Sequence, residues 1–298
     1  MKPIDAPITF CAIGTDWQID LLEDVGGRHE DIERNIHSLI ERYDKTYSRF
    51  RPDSLISKIA QAPGEHVLPH NARALMKLYR ELYDLTHGAF TPFIGQMLSD
   101  AGYDATYSLM QKRPLQQPPQ WDNVINFDAK TLHLKTTEAF LLDFGAGGKG
   151  HLIDLVGALL KQKHHIHNYT IDAGGDILHH GIAADKKPLR IGLEHPQDTT
   201  KIISMYELGG GAICASAGNK RAWKDYHHIM NPHTKQSVTS ILATWVVARE
   251  ALVADAIATC LFFAPAEKLS KAYEFEYAVL KEDYTLERSN GFNATLYI

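Results

Sequence analysis

Residues 141–161 read LLDFGAGGKGHLIDLVGALLK. Three known loop types compete for this stretch, and the choice among them decides between a parallel nucleotide-binding sheet and something else. A Walker A loop needs GxxxxGK followed by Ser or Thr. Here the spacing is Gly145-x-x-Gly148-Lys149, and Gly150 stands where the magnesium-binding hydroxyl belongs. Gly145, Gly147 and Gly150 do satisfy GxGxxG, with Asp172 near the place of the acidic residue of a dinucleotide fingerprint. That fingerprint works within a run of parallel βαβ units, which does not surround it here, and Lys149 sits inside it. Asp143-Phe144-Gly145 spells DFG, but no HRD catalytic loop precedes it. What survives is physical. Glycines let backbone approach an anion, a helix N-terminus offers unpaired N–H groups, and Lys149 adds a positive charge. On this loop alone, anion binding and a bare strand-to-helix turn with a solvated lysine weigh evenly.

The flanking segments favour an α+β fold of mixed sheets with packed helices. Upstream, ITFCAIGTDWQIDLL (8–22) alternates as a strand, and HEDIERNIHSLIERYDKTYSRF (29–50) carries Ile32, Ile36, Leu39, Ile40 and Tyr43 at helical spacing. Pro52 ends that helix. NARALMKLYRELYDLTHG (71–88) is a helix with Asn71 as N-cap and Gly88 past its end. QKRPLQQPPQ (111–120) reads as a surface loop, and VINF with TLHL as short paired strands. Downstream, YTIDAGGDILHHG is a strand broken by two glycines, and PLRIGLEH, KIISMYEL and GAICASAG are further strands. REALVADAIATCLFFA and AEKLSKAYEF read as helices, and YAVLKED and ATLYI as closing strands. Hairpin-like pairs interrupt the alternation of strands and helices, which argues against a doubly wound sheet.

The bulk numbers narrow the function. Against 31 Lys and Arg stand 36 Asp and Glu, a net charge of -5 that does not suit a nucleic-acid binder. Cys11, Cys214 and Cys260 are far apart and form no CxxC pair, so a reducing compartment is expected. The first twenty residues lack the apolar run of a signal peptide. No segment approaches the roughly 20 apolar residues of a membrane helix. The expectation is a cytoplasmic chain without membrane insertion.

Two further constellations carry chemistry. In ALVADAIATCLFF, Asp255 and Thr259 lie one helical turn apart on one face, amid Val253, Ile257, Cys260 and Leu261. A carboxylate in so apolar a helix needs a partner, and a hard cation held with the hydroxyl, a carbonyl and phosphate oxygens would meet that need. Unaided, a back-bonded threonine and a lysine-paired aspartate are the better reading, roughly two to one, as short motifs are weak. In YHHIMNPHTKQSV, alternation puts Tyr226, His228 and Met230 on one face of a strand, with His228 placed as a general base. With 16 histidines in the chain, one alone is weak evidence. His164, His165 and His167 follow a helix end, where a solvated cationic turn explains them better than a metal.

Taken in order, the segments resemble the FAD:protein FMN transferase family, the ApbE family, over nearly the whole chain. AIGTDWQIDL is similar to its A-M-G-T strand, and YSRFRPDSLISKI to S-x-[YF]-x-P-D-S-x-[IL]-S. GAFTPFIGQMLSDAGYD resembles G-A-F-D-P-T-x-G, and LDFGAGGKGHLIDLV resembles D-L-G-G-x-A-K-G-Y-x-x-D. IDAGGDI, SAGNKR, HHIMNPHTKQSV and ADAIATCLF resemble N-x-G-G-D-I, T-S-G-[ND]-x-R, H-I-[IL]-[DN]-P-x-T-G-x-P and A-D-[AG]-x-x-T-x-x-[FL]. The resemblance implies a single ApbE-like domain over 1–298, of two interlocked α/β subdomains. It implies FAD as substrate and Mg²⁺ held by Asp255, Thr259 and the carbonyl of Ala146. An acceptor Thr or Ser hydroxyl would attack the FMN-side phosphorus, giving up its proton to His228, while Lys149 offsets charge and AMP leaves. Flavin and nucleotide contacts are expected from Ile13, Phe50, Ala89, Phe90, Thr91 and Asp143, and the acceptor would be a flavoprotein subunit of a redox complex.

This chain departs from the pattern at Thr91 for Asp, Ile13 for Met, Phe50 for Tyr, Ala217 for Ser, Asn231 for Asp and Asp172 for Asn. The resemblance is weakest over 105–135. Three other readings stand behind the transferase, in this order: a magnesium-dependent FAD pyrophosphatase, a non-catalytic flavin-binding protein, and an NAD(P) oxidoreductase resting on GxGxxG.

Overall fold

The computed structural model describes residues 6–181 and 187–297. Its backbone is an eight-stranded sheet in the order Ile8–Ala12, Thr15–Leu21, Tyr169–Ala173, Asp176–His180, Gly211–Ala217, Ile241–Ala248, Glu276–Lys281, Leu286–Arg288. Every neighbouring pair is antiparallel. The hairpin signals therefore prevail over the βα alternation, and the fold is α+β.

Period-two alternation sorts the central strands onto two cores. Ala212, Cys214, Val246 and Val279 face the larger core, built with the helices His29–Tyr47, Ala72–Leu85, Gly148–Lys163 and Ala251–Cys260. Ile213, Trp245, Ala278 and Leu280 face a smaller one, closed by the three-stranded sheet of Leu189–His195, Asp198–Leu208 and Ala294–Leu296. Among the described residues, no helix is long and apolar enough to cross a membrane.

Several expectations need correction. The stretch 8–22 is not one strand but a hairpin, turned at Ile13 and Gly14. Both turn residues have positive φ, 45° and 77°, as a two-residue hairpin turn demands. Residues 141–144 join no ladder, and residues 145–147 form a turn into the helix. Asn71 is helical and caps nothing; its side chain accepts the Tyr47 hydroxyl at 2.7 Å. The helix read over 266–275 is only Ala266–Leu269. Ile241–Ala248, a central strand buried on both faces, escaped notice because it lacks alternation. Of the closing strand, Ala294–Leu296 is paired, and Ile298 lies outside the described residues.

His151, 3% exposed, sits where the Gly148–Lys163 helix meets Tyr43 and Tyr47. Burial pushes its pKa down to about 4, against a bond to Asn71 backbone. The unfolded chain takes this proton near the ordinary 6.5, before the fold does. The stability it contributes is thus complete above pH 6.5 and is lost as pH falls toward 4. Between pH 7 and 4 the parent is expected to lose about 3 kcal/mol more than His151→Gln. Denaturant unfolding of both proteins across that range checks this.

Candidate active site

The two helices that carry the chemistry touch at Gly150. A Cβ there would stand 2.1 Å from the Ala251 carbonyl oxygen and 2.8 Å from the Asp255 Cβ, so only glycine permits the crossing. The Gly150 N–H donates to Asp255 Oδ2 at 2.8 Å. One turn on, the Asp154 carboxylate accepts the N–H groups of Ala251 and Leu252 at 2.9 and 2.8 Å. It thereby caps a helix whose own N-cap residue, Glu250, supplies no side-chain bond. Burial pushes Asp154 up to about 7.

Asp255 is 4% exposed, and burial raises its carboxyl while the charge of Lys149 opposes that rise. The Thr259 hydroxyl lies 3.0 Å from that of Ser216. Lys149 forms an ion pair with buried Asp176, whose other oxygen accepts the Ala215 N–H at 3.1 Å. The ammonium is thus fixed between the glycine loop and the central sheet.

The loop before the helix is braced from its other side. Asp143 pairs with Arg49, accepts the Gly145 N–H at 2.6 Å, and its own N–H reaches the Pro92 carbonyl at 2.7 Å. Arg49 donates to the Tyr103 carbonyl at 2.8 Å and lies over the Phe50 ring at 4.1 Å. Its Nη2 is buried without a partner. Thr91 caps the short Pro92–Ile94 turn by accepting the Phe93 N–H at 3.2 Å, a task that the aspartate of the family pattern could equally perform.

His228 stands between two short ladders, Tyr226–His227 and Met230–Asn231, and not within the continuous strand that alternation predicts. Asn231 and Pro232 turn the chain there, and the Asn231 side chain accepts the His233 N–H at 2.9 Å. The His228 Nδ1 is buried without a partner. Burial, aided by the nearby charge of Arg221, pushes its pKa down to about 3, so the imidazole is neutral at physiological pH.

All of these elements face one cavity of about 750 Å³. Ile13, Phe50, Ala89, Phe90, Thr91 and Asp143 line it, as do Ala146, Lys149, His228, Asp255 and Thr259. Within it Phe50 stacks on Tyr107 with centroids 5.4 Å apart and planes 9° from parallel. Charged Lys149, Asp143 and Asp255 line it as well. Among the described residues no three His, Cys, Asp or Glu side chains stand close enough to hold a metal. The Asp255 carboxylate and Thr259 hydroxyl, one turn apart on their helix, are hard oxygen donors, as is the backbone carbonyl of Ala146 in the same lining, and this donor set fits Mg²⁺ completed by phosphate oxygens.

Sequence reasoning missed Asp154, Asp176, Ser216, Arg221 and Arg49. Asp176, Ser216 and Arg221 lie within the quoted GGDI and SAGNKR segments, so the signal was present. Arg49 falls on an unspecified position of its pattern, and only the fold brings it to Asp143.

A family model described as the ApbE family matches residues 13–280. A FAD:protein FMN transferase of Haemophilus influenzae is 25% identical, the match covering 96% of this chain and 84% of that protein. One from Vibrio cholerae is 24% identical over 86% of this chain and 80% of its own. Among solved structures, an ApbE protein of Thermotoga maritima superposes with a TM-score of 0.83 at 24% identity, covering 96% of this chain and 97% of that one. A flavin transferase ApbE from Vibrio cholerae does so with 0.80 at 21%, with the same coverage. At these identities the structural likeness carries the fold.

Gly150→Ala is expected to cost about 1–3 kcal/mol through overpacking against the Ala251 carbonyl. The midpoint of chemical unfolding measures it, and an unchanged midpoint would show that the helices can part freely.

Proposed function

Because the chain belongs to the ApbE family, we propose that it is a FAD:protein FMN transferase. It takes FAD and a protein hydroxyl, joins FMN to that hydroxyl as a phosphoester, and releases AMP. The observation that carries this reading is the convergence of Asp255, Thr259, Ala146, Lys149 and His228 on one cavity that the stacked Phe50 and Tyr107 rings also line.

The residues divide the work by their surroundings. The cavity's volume of about 750 Å³ suits a dinucleotide, with Phe50, Ile13, Ala89 and Phe90 facing the flavin and its attached chain. Thr91 and Asp143 hold the loop and its neighbouring turn in shape around it. Asp255, Thr259 and the Ala146 carbonyl would hold Mg²⁺. When bound, Mg²⁺ supplies positive charge to the phosphoryl oxygens and the leaving phosphate. Lys149, pinned by Asp176, adds charge at the same place without having to reorganise. His228, neutral because it is buried, has a free ring nitrogen to accept the acceptor's proton as its oxygen bonds to the FMN-side phosphorus. The bond to the AMP phosphate breaks in that step.

The cavity draws on residues from Ile13 to Phe263, which supports treating 1–298 as one functional domain. The acceptor in this reading is a flavoprotein subunit of a redox complex. A cytoplasmic setting goes with it, supported by three unpaired cysteines.

Mass spectrometry tests the reading with FAD, Mg²⁺ and a candidate acceptor subunit. The acceptor is expected to gain one FMN-phosphoryl group only with metal, and both Asp255→Ala and His228→Ala to lower the rate at least about 100-fold. FMN and AMP free in solution with the acceptor unmodified would assign a pyrophosphatase instead. FAD bound and left intact would leave a flavin-binding protein.

A further inference from the structure

The loop from Asp104 to Lys112 stands beside the cavity and is braced in a costly shape. Tyr107 and Leu109 have φ of 49° and 51°, a region that bulky side chains avoid. The Asp104 carboxylate holds them there, accepting the Thr106 N–H at 2.8 Å and the Ser108 hydroxyl at 2.5 Å, with Lys112 at 2.6 Å. The Leu109 N–H reaches the Gly102 carbonyl at 2.9 Å, and a Cβ on Gly102 would meet the Met110 nitrogen at 2.4 Å.

What this bracing holds outward is apolar. Tyr107 is 51% exposed, Leu109 40% and Met110 58%. Among the described residues, three of the seven large exposed hydrophobic side chains thus fall within four consecutive positions, a cluster and not scatter. The patch is continuous with the site. Tyr107 lines the cavity and stacks on Phe50. The loop and the His228 hairpin meet, with Tyr103, Leu115, Trp223 and Met230 buried in one cluster and the Tyr226 hydroxyl donating to Gln111 at 3.0 Å.

We propose that Tyr107, Leu109 and Met110 form the docking surface for the acceptor polypeptide, seating apolar side chains that flank its hydroxyl residue and so presenting that hydroxyl to His228. This rests on the transferase reading. FAD occupies the cavity, which Tyr107 borders, and has no use for the exposed Leu109 and Met110 beyond that lining, and neither does an attacking water. A protein hydroxyl must arrive with its neighbours, and those neighbours lie against the rim. A rigid rim lowers the ordering cost of binding a flexible segment, which accounts for strained backbone at an exposed place. The rim also lies in the region where the family resemblance is weakest, as a surface fitted to one partner would.

The test uses the full chain with FAD and Mg²⁺ and two synthetic twelve-residue peptides with a central threonine, one flanked by Leu and Val, the other by Ser and Gln. The parent is expected to modify the apolar peptide with at least tenfold higher kcat/KM. In Leu109→Asn/Met110→Gln that preference is expected to vanish through a raised KM, while FAD affinity, read by flavin fluorescence, stays within twofold. Asn suits the left-handed backbone at 109, so the variant keeps or raises its Tm, and Met110→Gln alone serves as a second probe. Equal rates on both peptides, no transfer to either, or a preference retained in both variants overturns the docking surface. Failure of the parent to bind FAD or to turn it over with metal overturns the transferase reading instead.

Discussion

The structure turns on the contact between Gly150 and Ala251, where the Gly148–Lys163 and Ala251–Cys260 helices come as close as backbone allows. Two polar bridges fix this crossing: Gly150 N–H to Asp255, and Asp154 to the first N–H groups of the second helix. Each serves the site directly. The first orients the carboxylate proposed to hold the metal, and the second sets the rotation of the helix that presents it and Thr259. Because the glycine loop opens the first helix, its carbonyls and Lys149 are placed against Asp255 by the same contact. The proposed phosphate cradle and the proposed cation site thus share one rigid crossing.

Charge is confined by pairing at every turn. Lys149 meets Asp176, and Arg49 meets Asp143. Buried ion pairs of this kind add little net stability, since desolvation offsets attraction. Their value lies in position. His228 is left out of any such pair, and burial beside Arg221 keeps it neutral. One cavity therefore holds a fixed ammonium, proposed to face a phosphate, and an uncharged imidazole, proposed as the base for a hydroxyl.

The sequence named a candidate site whose residues line one cavity, while parts of the sheet were harder to read, and the reasons are physical. Asp255 and Thr259 stand four apart on a helix, so local geometry alone places them together. The order of the short segments located His228 and the glycine loop without any knowledge of how they meet. The sheet was harder. Ile241–Ala248 is covered on both sides and shows no alternation, and the 8–22 stretch conceals its turn because Ile13 is a poor turn former. Asn71 had the chemistry of a cap, but the Tyr47 hydroxyl engages its side chain instead. Arg49 could not be read at all, since its partner lies 94 residues away.

The pairing of Thr15–Leu21 with Tyr169–Ala173 has a consequence for the chain as it is made. The Ile8–Leu21 hairpin emerges from the ribosome well before residues 169–173, and one side of it stays uncovered until they appear. At ordinary synthesis rates that interval is on the order of ten seconds. For that time an apolar ribbon bearing Trp17, Ile19 and Leu21 has no sheet to join. Over that interval the unpaired edge is expected to be open to chaperones, and the helix of Asp255 and Thr259, which closes the larger core, is made later still.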